Sequence, residues 1–199
     1  PATPSTPSPA APASDIPVLE LLPADAVPPQ GEALLILDAT ALEPFHHIIL
    51  PESEKIKRYG PGLPGPWSVH NWEDDGRSEL FTDTVDGEQV LVLRNVQGHG
   101  LMLNQWRPLQ IEAGATLLLQ IDYRYRGSGQ LAIALHYGDS RSQQGLRLPP
   151  AGGDWRQVTY ACHLPPGDAA QPCTVLFFQQ RIGGANDVLL RRVSLAPVE

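Results

Sequence analysis

Cysteine is nearly absent from this 199-residue chain, which carries only Cys162 and Cys173. Two thiols with no neighbouring His cluster do not make a zinc site, and they cannot staple a multi-bridge scaffold. Lysine stops at Lys57, so all ten cations of residues 91–199 are arginine. With a net charge of −8 and a pI near 5.2, the chain lacks the basic stripe that phosphate backbones demand, which argues against nucleic acid as a partner. No apolar run reaches the roughly 20 residues of a membrane-spanning helix, which argues against direct membrane insertion. Also missing are a Gly-x-Ser-x-Gly elbow, a His-Glu-x-x-His pair, a phosphate loop, a dinucleotide fingerprint and an Asn-x-Ser/Thr acceptor.

Proline, by contrast, is plentiful. Five of the 21 prolines fall in the first fifteen residues among Ala, Ser and Thr, a composition that cannot bury enough surface to fold. Residues 1–30 are therefore expected to be a mostly extended proline-rich linker, and residues 31–199 a single domain large enough for a substantial core. A linker at the start, with no initiator Met, suggests a fragment or processed chain with an N-terminal neighbour. A signal peptide, lipid anchor, membrane helix or further domain would each fit.

The stretch Gly114 to Tyr137 alternates apolar and polar residues on both sides of Gly127-Ser128-Gly129. It reads as a β-hairpin whose apolar face holds Leu117, Leu119, Ile121, Tyr123 and Tyr125, then Leu131, Ile133, Leu135 and Tyr137. Asp122, Arg124 and His136 would share the other face with Ala132 and Ala134. Long polar groups beside alanines describe either a shallow ligand trough or a plain solvated face. Further strands are expected at 33–37, 79–84, 89–94, 100–105, 145–148, 156–163, 173–180 and 187–196. Turn residues separate nearly all of them, the pattern of an all-β antiparallel sandwich or jelly roll. Residues 51–72, rich in proline and glycine, read as a long loop.

Charge is divided unevenly. Residues 1–90 carry −11 and residues 91–199 carry +3. Either acidic groups of the first half pair with arginines of the second, or the arginines form a planar donor set for a ligand. Cys162 and Cys173 flank a Pro-Pro-Gly-Asp turn and each adjoins a β-like run. The expectation is a disulfide across a β connection, with two buried free thiols as the alternative. A disulfide would place the domain outside the cytosol: extracellular, periplasmic or on the cell surface.

From residue 79 to 195 the order of elements resembles the β-jelly-roll carbohydrate-binding modules of the galactose-binding-like superfamily. The matching phrases are GEQVLVLRN, LMLNQWRPLQIEAGATLLLQIDYR, the Gly-Asp-Trp-Arg-Gln-Val strand at Trp155, and the closing pair TVLFFQQ and DVLLRRVSL. Leu34 to Phe45 matches the usual first strand only loosely. The resemblance implies that Trp155 packs against the sandwich. It also implies a structural calcium ion joining first and last strands, with Asp187 carried over from the last and Asp38 or Glu43 as partners.

These readings converge on a non-catalytic carbohydrate-binding module of a larger exported or surface-anchored protein, monomeric, with a glycan as partner. Sugar recognition needs aromatic faces and directional donors. The expected ligand-binding set is Asp122, Arg124, His136, Gln179 and Arg181 on one polar face, with Trp106 at its rim; Trp67 reads as a lid. Two alternatives are a protein-binding or architectural β-sandwich, and a jelly-roll polysaccharide lyase using His136, Asp122 and Arg124 on a uronate.

Overall fold

The longer described strands have one apolar face toward a shared core, and two antiparallel sheets bury those faces against each other. The computed structural model describes residues 15–49, 63, 67–71, 78–95, 101–105, 107–127, 130–138, 145–179 and 186–199. In chain order the strands are β1 (Val18–Leu22), β2 (Leu35–Asp38), β3 (His46–Ile49), β4 (Trp67–Asn71), β5 (Ser78–Val85), β6 (Glu88–Asn95) and β7 (Leu101–Gln105). They continue as β8 (Leu109–Ile111), β9 (Thr116–Arg126), β10 (Leu131–Tyr137), β11 (Leu146–Arg147), β12 (Arg156–His163), β13 (Gln171–Gln179) and β14 (Asn186–Pro197). Among the described residues there is no α-helix, and the all-β sandwich expected from the turn spacing is the observed fold.

The larger sheet runs β1-β12-β9-β14-β6-β5-β3, with β2 joining the free side of β14. The smaller runs β11-β10-β13-β7-β4, with β8 also on β13. Between them lies one main core, in which Leu117, Leu119, Ile121, Tyr123 and Tyr125 of β9 meet Leu131, Ile133, Leu135 and Tyr137 of β10. Tyr123 is fully buried and donates its hydroxyl to the Pro149 carbonyl. A tight hairpin joins β5 to β6 through Asp86-Gly87, both at positive φ (54° and 84°), the geometry that Asp-Gly favours.

Four expectations are corrected here. First, β9 and β10 are not a hairpin. Strand β9 pairs with β12 and β14 in the larger sheet, β10 with β11 and β13 in the smaller, so the segment after Arg126 crosses between sheets. Their apolar faces look at each other and their polar faces point to opposite sides of the molecule. Second, residues 16–30 are not all linker: Val18–Leu22 pairs along β12, and Gln30 bridges to Val198. Val-Leu-Glu-Leu-Leu carries no proline, so every backbone donor of this edge strand is available for pairing.

Third, the two cysteines are free thiols. Cys162 lies on β12 and Cys173 on β13, both facing the core, because the Pro-Pro-Gly-Asp segment is a second crossover between sheets. The two thiols thus face the core from opposite sheets and remain unbonded. Fourth, Trp67 is not a lid, while Trp155 does pack on the sandwich, from its outer side. Trp67 is a buried member of β4, its ring 6.1 Å from Phe177 and its indole N–H donating to the Ile36 carbonyl at 3.4 Å. Trp155 lies outside the main core, on the outer surface of the larger sheet over Val85, Val90, Val92 and Leu189. The strand expected at 33–37 is present as β2, whereas β4 falls in the expected loop of residues 51–72 and β3 and β8 in stretches with no strand expected.

Candidate functional site

A sandwich offers two outer faces, and the residues of β9 and β14 decide what the larger sheet presents. Arg94 clasps Asp187 with two bonds of 2.7 and 2.8 Å and lies 3.7 Å from Glu79, which also meets His46 at 3.2 Å. Arg124 reaches Asp86 at 2.9 Å and Arg126 reaches Asp83 at 3.5 Å. Arg191 lies over the Trp155 ring at 4.1 Å, with Glu88 and Asp122 at 2.9 and 3.4 Å. Acidic groups of the first half thus neutralise arginines of the second, the structural reading of the charge asymmetry. Burial lifts the Asp122 carboxyl above its ordinary value against the pull of Arg191. Asp122 and Arg124 are spent on these pairs, so the expected trough is not assembled around them.

The metal set is dispersed as well. Asp38 caps a single 3₁₀ turn (Ala39–Ala41) by accepting from the Thr40 N–H and hydroxyl, at 3.0 and 2.6 Å. Asp187 is held by Arg94, a cation where calcium would need to sit, and Glu43 is exposed. Among the described residues no group of three or more His, Cys, Asp or Glu side chains is placed to hold a metal. The donor set therefore does not fit the implied calcium ion.

The outer face of the smaller sheet is different in kind. Residues of β10 and β13 that point away from the core pair in register: Ala132 with Phe178, Ala134 with Leu176, His136 with Thr174. On the other side of β10, Ala132 stands opposite Arg147 of β11. One cross-strand row therefore reads Arg147, Ala132, Phe178, with an alanine floor between a guanidinium and a half-buried aromatic ring. Strands 4.7–4.9 Å apart put those two backbones roughly 10 Å from each other. Ala134, Leu176 and Phe178 form a small apolar cluster beside the row. His136 closes the face some 13 Å along β10 from Ala132. Its Nε2 is buried and has no hydrogen-bond partner among the described residues, and burial holds the imidazole below its ordinary pKa.

Arg147 also lines a cleft of about 570 Å³ at the end of the sandwich, together with Tyr125, Gln130 and the Pro149-Pro150 wall. That wall is pinned by two side chains, Tyr123 on the Pro149 carbonyl and Arg156 on the Pro150 carbonyl at 2.8 Å. Opposite it, Gly152 and Gly153 turn at φ of 59° and 89°, a conformation in which any Cβ would be strained.

Of the six expected ligand residues, His136 alone among those described lies on this face with its side chain turned outward. Gln179 faces the core, buried, donating to the Asn186 carbonyl at 2.8 Å. Trp106 and Arg181 lie outside the described residues. Sequence reasoning missed Arg147 and Phe178. The signal for Phe178 was present, since it alternates with Val175 and Phe177 and so must point the other way. The separation of His136 from Asp122 and Arg124 also dismantles the trio that a lyase would need.

No protein-family profile and no curated protein matches the chain. Among solved structures it resembles the enzymatically active domain of tailspike protein 4 of bacteriophage CBA120, with 14% identity over 67% of this chain and a TM-score of 0.53. The chain spans only 20% of that tailspike. Carbohydrate-binding modules also appear: a family 61 module in complex with β-1,4-galactotriose (11% identity, TM-score 0.46, 67% of this chain, 89% of that one). A family 4 module matches at 13% identity and TM-score 0.46, over 80% of this chain and 97% of that one. At such identities the likeness is one of fold.

Proposed function

We propose that this chain is a non-catalytic carbohydrate-binding module whose glycan lies across the outer face of the smaller sheet. The observation that carries the reading is the row Arg147, Ala132, Phe178 with His136 further along β10. A pyranose presents an apolar C–H patch and a rim of hydroxyls. The partly exposed ring of Phe178 offers the apolar surface over buried Ala132 and Ala134, while Arg147 and His136 offer directional polar groups. The proline-rich opening of the chain supports attachment by a tether to a larger exported or surface-anchored protein, now without a disulfide to add to it.

A glycan array on the full chain, with and without calcium, supplies a ligand, and calorimetry on variants locates it. His136→Ala and Phe178→Ala are each expected to weaken binding about tenfold or more, in line with the loss of one strong hydrogen bond or one ring contact, with melting temperature nearly unchanged. Arg124→Ala is expected to leave affinity unchanged. Binding that depends on Arg124 and ignores both other variants would move the site to the larger sheet.

A further inference from the structure

Most described arginines are engaged, and the exposed Arg192 of β14, which carries no ion pair among the described residues, lines no part of the end cleft. Arg94, Arg124, Arg126 and Arg191 are held by carboxylates on the larger sheet, and Arg156 is engaged on the Pro150 carbonyl. Arg147 is exposed, has no ion-pair partner among the described residues, and is the arginine that both borders the outer face of the smaller sheet and lines the end cleft. The other polar side chains around it, Tyr125 and Gln130, can each donate. Tyr125 accepts the Leu131 N–H at 3.1 Å through its phenol oxygen, which leaves its own proton to donate, and burial keeps that phenol protonated. Gln130 is exposed at the mouth, and among the described lining residues there is no Asp or Glu.

A cleft with an unpaired guanidinium, polar groups able to donate and no carboxylate among its described lining residues calls for an anion from outside. We propose that Arg147 captures the carboxylate of an acidic sugar, so that the glycan is one bearing uronate residues. The planar guanidinium fork matches the two oxygens of a carboxylate. One guanidinium fork in the described lining of the cleft, on a chain of net charge −8, favours one carboxylate over a densely sulfated polyanion, which the overall negative field repels. The pinned Pro149-Pro150 wall and the two positive-φ glycines hold the cleft open before the ligand arrives, reducing the ordering cost of binding. This inference rests on the glycan-binding reading and names the charge class of the ligand at that same face.

Isothermal calorimetry would compare oligogalacturonate, oligomannuronate and glucuronoxylan oligomers, each beside its carboxyl-reduced counterpart, and a sulfated galactan oligomer. The wild-type chain is expected to bind at least one uronate oligomer tenfold or more tighter than its reduced form and tighter than the sulfated one. R147Q is expected to erase that preference while retaining binding of the reduced oligomer; H136A is expected to weaken both. Equal affinity for uronate and reduced forms, a preference for the sulfated oligomer, or a preference that survives R147Q would overturn the uronate assignment. Neutral glycans bound through His136 with no uronate preference would sink this inference alone, whereas no binding to any oligomer or array glycan would sink the glycan-binding reading as well. The wild-type comparison of paired oligomers decides the matter even if R147Q does not fold.

Discussion

At the scale of single residues, the question is what each polar group is already doing. Asp122 and Arg124 looked available in the sequence because nothing local competes for them. Their partners, Arg191 and Asp86, come from distant strands. His136 was legible as an outward residue because β10 alternates cleanly, and that inference needed no partner. The cysteines show the same limit: their β-like flanks and the turn between them suggested a disulfide, but the two strands join different sheets and the thiols are free. Burial pushes the Cys173 thiol up to about 12 and the Cys162 thiol higher still, so neither is a thiolate at neutral pH. A thiol reagent is therefore expected to titrate none in the native protein and two after denaturation without reductant. Finding none in the denatured protein would mean that the pair is oxidised and that the sheets approach more closely here.

At the scale of elements, strands rich in β-branched and aromatic residues between Gly or Pro turns were recognisable, and β10 and β12 fall where the pattern put them. The strands that no pattern marked are short: β1, β3, β4 and β8, with five, four, five and three residues, cannot complete a convincing alternation. Strand β14 carries the most tertiary information, pairing with β6, β9 and β2 and shifting register between Leu190 and Arg192. That shift keeps Val193 and Leu195 on the core side beyond Leu190 and leaves Arg191 to lie across Trp155. At its start, Asp187 joins β14 to β6 through Arg94. Replacing Asp187 with Ala removes two charge-assisted bonds from a mostly buried carboxylate. The expected cost is about 1–2 kcal/mol, set below the full value because the Arg94 side chain is 35% exposed. Urea unfolding would register this as a lower midpoint at unchanged slope, and an unmoved midpoint would mean that water replaces the pair without loss.

For the molecule as a whole, the two sheets are not built from two halves of the chain. The larger draws on strands from β1 to β14 and the smaller on β4 to β13, so neither can form early by itself. Removing residues 186–199 takes out the strand on which β6, β9 and β2 converge, and the shortened chain is expected to lose its near-ultraviolet circular dichroism and its cooperative melt. A truncated chain that still melted cooperatively would show that β9 and β6 can pair without it. By itself, the sequence determined that the chain is all β and which side of β9 and β10 is buried. Alternation is a local property, and a pleated strand displays it whatever its neighbours. Only the tertiary structure decided which sheet each strand joins. A three-residue glycine turn serves a hairpin and a crossover equally well, and both choices bury the same apolar face. The crossover after β9 therefore sent Asp122 and Arg124 to one surface and His136 to the other, and set Arg147, Ala132 and Phe178 in a row that no stretch of sequence contains.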